Sequence, residues 1–241
     1  MTAPRLTGRL ALITGASRGI GAALARRFAA EGAHVILLAR TTGGLEERDD
    51  EIRALGSEAT LVPFDLRDFD KIDQLGAALY QRFGRLDVLV GNAGVLGALS
   101  PMGHFDPKTW AEVLDINVTA NWRLIRALDP LLRLSPSGRA VFTTCAAGRE
   151  PLPYWGAYAA SKAALEAMVR IYAGEVATTS LRVNLVDPGI VATALRAHGF
   201  PGENRTTLAT PDAVTEPFVT AAAEDCAHHG EILRETKPTH R

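Results

Sequence analysis

Seven short apolar runs alternate with longer stretches at helical spacing, and that alternation leaves few folds open to this 241-residue chain. The runs are Leu10 to Thr14, His34 to Ala39, Ala59 to Phe64, Leu86 to Val90, Arg139 to Thr144, Leu181 to Val186 and, more weakly, Glu231 to Arg234. Each has strand length, and none alternates strictly with polar residues, as expected of strands buried on both faces of a parallel sheet. Between them, Ile20 to Ala30 sets Leu24 and Phe28 four apart, and Asp68 to Phe83 sets Ile72, Leu75 and Leu79 along one face. Two longer helical stretches, Pro107 to Leu134 and Trp155 to Ala177, are rich in Ala and Leu and offer surface to a partner subunit as well as to the sheet. Ile190 to Thr210 has no clear period and reads as a mobile loop with one helical turn. The expected class is α/β, a doubly wound sheet of about seven parallel strands with helices on both faces.

Composition narrows the function classes. Apolar residues make up 47% and charged residues 22%, with no linker, repeat or low-complexity tract, so residues 1–241 read as one domain. A net charge of −1 gives no general field for nucleic acid or an anionic membrane. No apolar stretch approaches the roughly 20 residues of a membrane span, and the N-terminus lacks a cleavage pattern, so a cytoplasmic protein is expected. In that setting Cys145 and Cys226 read as thiols.

The first run leads straight into Thr14, Gly15, Ala16, Ser17, Arg18, Gly19, Ile20 and Gly21, and then into a helix. Glycine lets backbone turn sharply and approach a ligand, while the free N–H groups and positive dipole of a helix start attract a pyrophosphate. The spacing is Thr-Gly-x-x-x-Gly-Ile-Gly. Further along stand Asp65 after the third run, Gly91-Asn92-Ala93-Gly94 after the fourth, Asn117 in a long helix, Tyr158 and Lys162 four apart, and Pro188-Gly189 with Thr193 after the sixth.

On these motifs, which span nearly the whole chain, the sequence resembles the short-chain dehydrogenase/reductase family. The resemblance implies a single Rossmann-like domain, a nicotinamide cofactor, a small-molecule carbonyl or alcohol substrate, and a homodimer or homotetramer. It places Gly15, Ser17, Arg18, Gly19, Ile20, Gly21, Leu66, Ala93, Gly94, Pro188, Gly189 and Val191 around the cofactor. By the same resemblance Asp65 lies beside the adenine, Asn92 supports the cleft and Thr193 holds the nicotinamide amide. Tyr158 transfers the proton, Lys162 holds the ribose and lowers the phenol's pKa, and Asn117 holds a water that links Lys162 to solvent.

An acidic residue after the second strand would bond the ribose 2′-OH of NAD and repel a 2′-phosphate. Arg40 stands there instead and Arg18 adds a second cation, so NADP(H) is expected over NAD(H). Tyr158 and Lys162 share one helix face. Lowering a phenol's pKa by three units takes about 4 kcal/mol, of which a cation at ~5 Å supplies about 3 kcal/mol at an effective dielectric near 20.

The pattern breaks at Cys145, where the family usually has a serine that bonds the substrate carbonyl. A thiol is the weaker partner, and losing most of one such bond costs about 1 to 3 kcal/mol. Gly91, where the family often has asparagine, is a lesser departure. The leading expectation is a hydride-transferring oxidoreductase. An NADP-binding sensor or scaffold with catalysis weakened at Cys145 stays open, as does isomerase or epimerase chemistry on a retained cofactor. Leu96, Leu99, Tyr154, Trp155 and Phe200 are candidates for an apolar substrate cleft and equally for core or interface.

Overall fold

The structure is a computed structural model that describes residues 3–235. Strands β1 (Leu10–Thr14), β2 (His34–Ala39), β3 (Ala59–Pro63), β4 (Val88–Gly91), β5 (Arg139–Thr143), β6 (Arg182–Asp187) and β7 (Ile232–Arg234) form one sheet in the order β3-β2-β1-β4-β5-β6-β7, every pairing parallel. The helices are α1 (Gly19–Ala30), α2 (Thr42–Ala54), α3 (Phe69–Phe83), α4 (Pro107–Leu114), α5 (Ala120–Arg133), α6 (Gly156–Val176), α7 (Ala194–Gly199) and α8 (Glu216–Ala222).

Alternate residues of each strand feed opposite faces. Leu10, Leu12, Ile36, Leu89 and Phe142 pack with Leu75 of α3, Leu124 of α5 and Leu165 of α6. Ala11, Ile13, Val35, Val90 and Val141 pack with Phe28 of α1, Leu45 and Ile52 of α2, and Phe218 of α8. The sheet is thus covered on both faces, as the unbroken apolar runs require.

Several expectations need correction. Strand ends move by one or two residues: β3 stops at Pro63, whose missing N–H suits an edge strand, and β4 begins at Val88 rather than Leu86. The stretch from Pro107 to Leu134 is not one helix. A π turn, Asp115–Thr119, separates α4 from α5 and carries the buried Asn117. Helices α2 and α8 were not anticipated, and the segment after Ile190 contains α7 and a short 3₁₀ turn, Arg205–Thr207.

The N-terminal edge of the sheet is held by Asp87. Its carboxylate accepts hydrogen bonds from Leu10 N–H at 2.9 Å, Ser135 Oγ at 2.6 Å and Arg85 Nε at 3.0 Å. Burial works to raise its pKa, but the bonds from Ser135, Leu10 and Arg85 outweigh it and hold the carboxyl below its ordinary value. Its contribution is therefore complete above the unfolded pKa of about 4 and is lost as pH falls through the lower folded value. Asp87→Asn should cost about 1–3 kcal/mol in urea unfolding at pH 7. The gap from the natural protein should start to narrow as pH falls below about 4 and close once pH is under the lower folded value; a gap that does not narrow over that range would show that the charge is not what stabilises.

Candidate active site

The site sits at the C-terminal ends of β1, β4, β5 and β6, where β1 and β4 are neighbours but their flanking strands lie on opposite sides. Thr14 closes this point: its Oγ1 accepts the N–H groups of Asn92 at 3.0 Å and Ala93 at 3.1 Å. The Asn92 amide donates to the Thr14 carbonyl at 3.0 Å, and its oxygen takes the Thr143 hydroxyl at 3.4 Å.

From Thr14 the chain turns through Gly15 and Gly19, at φ of 68° and 58°. Gly21 lies so close to that turn that a Cβ there would stand 2.2 Å from the Gly15 carbonyl oxygen. Arg18 starts α1 without a side-chain cap, so the first amides of the helix face the crevice unpaired by the fold. Ala93 comes against this loop, its Cα 3.0 Å from the position a Gly15 Cβ would take, and Gly94 faces the Asn117 amide and the Lys162 ammonium.

Arg40 follows β2 with its side chain 58% exposed, 3.9 Å from the Asp65 carboxylate. Arg67, which the sequence reading missed, holds that carboxylate with N–H bonds of 2.8 and 3.1 Å and keeps its pKa below the ordinary value. Asp65 is thereby committed to Arg67, and Arg40 keeps a solvent-facing guanidinium. Leu66, beside them, is buried.

Tyr158 and Lys162 lie one turn apart on α6, both buried. The Lys162 ammonium donates to the Thr143 carbonyl at 2.9 Å and stands 5.7 Å from the centre of the Tyr158 ring. Burial pushes the phenol well above its ordinary pKa, with Cys145 adding to the rise, and pushes the ammonium down. The expected lowering of the phenol is not met in this arrangement, where burial first and Cys145 after it both push it up.

The Asn117 side chain accepts from Val95 N–H at 2.9 Å and donates to the Val95 carbonyl and Ser161 Oγ, each at 2.9 Å. Ser161 in turn donates to the Tyr158 carbonyl at 2.7 Å. Asn117 thus ties the loop after β4 to the first turns of α6. Beyond β6, Pro188 and Gly189 turn the chain, and Thr193 caps α7 by accepting Arg196 N–H at 3.2 Å. Val191 is buried, bridged to Ala209. A hollow of about 490 Å³ lined by Arg9, His34, Phe83 and Arg85 opens at the opposite edge of the sheet and shares none of these groups.

Residues 9–204 match the short chain dehydrogenase family. The chain belongs to that family. It is 38% identical over 236 residues to the oxidoreductase YciK of Escherichia coli, covering 97% of this chain and 93% of the relative. A 3-oxoacyl-[acyl-carrier-protein] reductase of Synechocystis is 36% identical over 189 residues, 78% of this chain and 76% of that protein. Among solved structures, a short chain dehydrogenase of Escherichia coli complexed with NADPH superposes with a TM-score of 0.93 at 36% identity, covering 97% of this chain and 99% of the other.

As a short-chain dehydrogenase the chain departs from the usual pattern in ways its packing explains in part. At Gly91 a Cβ would meet Phe142 at 2.4 Å and the Asn121 amide oxygen at 2.5 Å, so no asparagine fits there. Cys145 keeps the place of the usual serine, its thiol donating to the Tyr158 hydroxyl at 3.7 Å. Thr144 cannot stand in, because its hydroxyl turns away to Glu166 at 2.7 Å.

Glu166 belongs to a charged cluster behind the site. Arg149 bonds both Glu166 and Asp187, Arg170 reaches Glu166 at 3.2 Å, Arg234 stands 3.5 Å from Asp187, and Asp187 accepts the Gly189 N–H at 3.1 Å. One guanidinium therefore links the loop after β5, helix α6 and the turn after β6. The sequence reading singled out none of these residues; Glu166 stands four residues past Lys162 in a helix that also carries Glu175. Arg149→Met leaves two buried carboxylates without the guanidinium that bonds both and should cost about 3–5 kcal/mol in chemical denaturation, with Glu166→Gln added to it restoring part of the loss. Additive losses in the double variant would disprove the clamp.

Proposed function

We propose that this short-chain dehydrogenase moves a hydride between NADP(H) and a carbonyl or secondary alcohol of a small molecule. The observation that carries the reading is the meeting of Tyr158, Lys162 and Asn117 at the edge of the sheet where the glycine turn opens α1. The turn fits a dinucleotide: Gly21 leaves room only for backbone, and uncapped amides face the place a pyrophosphate would take. NADP(H) bound there supplies or accepts the hydride. Gly15, Ser17, Arg18, Gly19, Ile20 and Gly21 would hold its phosphates, Asp65 and Leu66 its adenine, Asn92, Ala93 and Gly94 its middle, and Pro188, Gly189, Val191 and Thr193 its nicotinamide. Solved neighbours complexed with NADPH and NADP agree with the exposed Arg40 in favouring the 2′-phosphate form. A dimer or tetramer built on α5, α6 and β7 is part of the same reading, with Trp122 and Ile171 as large exposed apolar side chains on two of those elements.

Tyr158 serves as the acid–base group. A phenol is protonated at neutral pH and burial pushes its pKa further up, so Tyr158 holds a proton to give to a carbonyl oxygen. Lys162 orients the ribose and adds positive charge, and Cys145 offers the weaker anchor for the carbonyl.

Three experiments test this. NADPH should bind at least about tenfold more tightly than NADH, a charge-assisted contact being worth about 1.5–3 kcal/mol, and Arg40→Asp should reverse the order; equal affinities would show that Arg40 does not read the phosphate. Cys145→Ser should raise kcat/KM for a carbonyl about tenfold to a hundredfold with cofactor affinity unchanged, and Tyr158→Phe should abolish turnover. Because the phenol's pKa is raised, carbonyl reduction should persist across neutral pH while alcohol oxidation climbs into the alkaline range. A serine form slower than the natural one would give the thiol a role of its own.

A further inference from the structure

Beside Tyr158 stands an aromatic wall that the proton chemistry does not use. The Trp155 ring meets the Tyr158 ring edge-on, with centroids 5.9 Å apart, and the Phe200 ring lies 5.3 Å from that of Trp155. Both are half-buried. The contact is tight: a Cβ on Gly199 would stand 3.0 Å from the Trp155 ring and 3.2 Å from the buried Leu96 side chain. Three separate loops converge here, after β4, before α6 and at the end of α7.

The wall is fixed on both sides. Tyr154, directly before Trp155, has a φ of 73° and is the one non-glycine residue among those described that adopts the left-handed region. Strain of this kind persists only where the surroundings enforce it. Here the Tyr154 carbonyl accepts Ser100 N–H at 3.0 Å, and Trp155 N–H donates to the Leu152 carbonyl at 3.2 Å. On the other side the Arg196 guanidinium lies 3.6 Å from the centre of the Phe200 ring and is held by Glu203 through bonds of 2.6 and 2.7 Å.

Charge and exposure then say what the wall can select. Arg196 is neutralised by Glu203, and Arg149 is spent on Glu166 and Asp187, so neither arginine is free to pair with an anionic substrate. Around the wall the loops after β4 and before α6 expose Leu99, Met102, Leu152 and Tyr154, and the two loops meet at Ser100 and Trp155.

We infer that Trp155 and Phe200 select the substrate, and that it is an uncharged ketone or secondary alcohol with a flat ring or similar bulky apolar group beside the reacting carbon. The inference rests on the carbonyl-reducing reading above. Small aliphatic and anionic carbonyl compounds are the disfavoured class, since they leave the rings uncovered or find Arg196 and Arg149 already paired.

The test uses the full chain with NADPH and three ketones: tetralone, butanone and acetoacetate. Tetralone should lead in kcat/KM by about tenfold or more. Trp155→Ala and Phe200→Leu should each cut the tetralone-to-butanone ratio about tenfold, chiefly through the KM for tetralone, and Trp155→Phe should restore most of it. NADPH affinity, read from nicotinamide fluorescence, should stay unchanged and so report intact folding of each variant. A readout without turnover is calorimetric binding of tetralone to NADP-loaded Tyr158→Phe protein, which should vanish when Trp155→Ala is added. A preference for butanone or acetoacetate, or equal losses on all three ketones, overturns the wall and leaves the reductase reading standing. Tetralone binding that depends on Trp155, with no ketone turned over, keeps the wall and overturns the reductase reading. Tetralone that neither binds nor reacts overturns the wall.

Discussion

Thr14 is the residue on which the site is hung. A buried hydroxyl must find partners, and this one finds three: it accepts the N–H groups of Asn92 and Ala93 and donates to the Val90 carbonyl at 3.2 Å. Those bonds join the ends of β1 and β4 at the point where the sheet order reverses and a crevice must open. A continuous path follows from Thr14 through the Asn92 amide to Thr143, and from the Thr143 carbonyl to the Lys162 ammonium. The glycine turn and the Tyr158 helix, far apart in sequence, are thereby held in one frame by polar groups, of which Thr14, Thr143 and Lys162 are buried.

Charge is used differently at the two edges of the sheet. At the N-terminal edge the buried Arg9 and Arg139 are turned on backbone: Arg9 donates to the Ser137 and Asp87 carbonyls, and Arg139 to those of Gly138 and Ala223. At the C-terminal edge the Arg149 cluster is also internally paired, but its partners lie within a few residues of groups that face the crevice, with Thr144 next to Cys145 and Asp187 bonded to Gly189. Buried ion pairs contribute little net stability over apolar packing, whereas breaking one is costly. The cluster's effect is therefore best understood as fixing where the loops after β5 and β6 stand.

Much of this was legible in the sequence because the strands are buried on both faces, and burial writes itself as unbroken apolar runs. Helix α2 was not legible: it faces the core with Leu45 and Ile52, with the charged Asp49 between them, too sparse an apolar stripe to read as amphipathic. The π turn at Asn117 was hidden for another reason. The side chain it carries is bonded to Val95 and Ser161, 22 and 44 residues away, and no local propensity reports such partners. The glycine turn and the Tyr158–Lys162 pair were visible because their spacing is local. Arg67 and Arg149 were not, since an arginine acquires a role only when folding brings it to its carboxylates.

The phenol shows most clearly where spacing stops informing. Four residues of helix place a cation one turn from Tyr158, and Coulomb's law then suggests a lowered pKa. That estimate leaves out what else surrounds the ring. Trp155 meets it edge-on, Cys145 contacts its hydroxyl with a weakly polar thiol, and the Lys162 ammonium is drawn to the Thr143 carbonyl. Burial of the ring and its contact with Cys145 thus act in the same direction, keeping the proton on Tyr158 until a substrate oxygen comes within reach to take it.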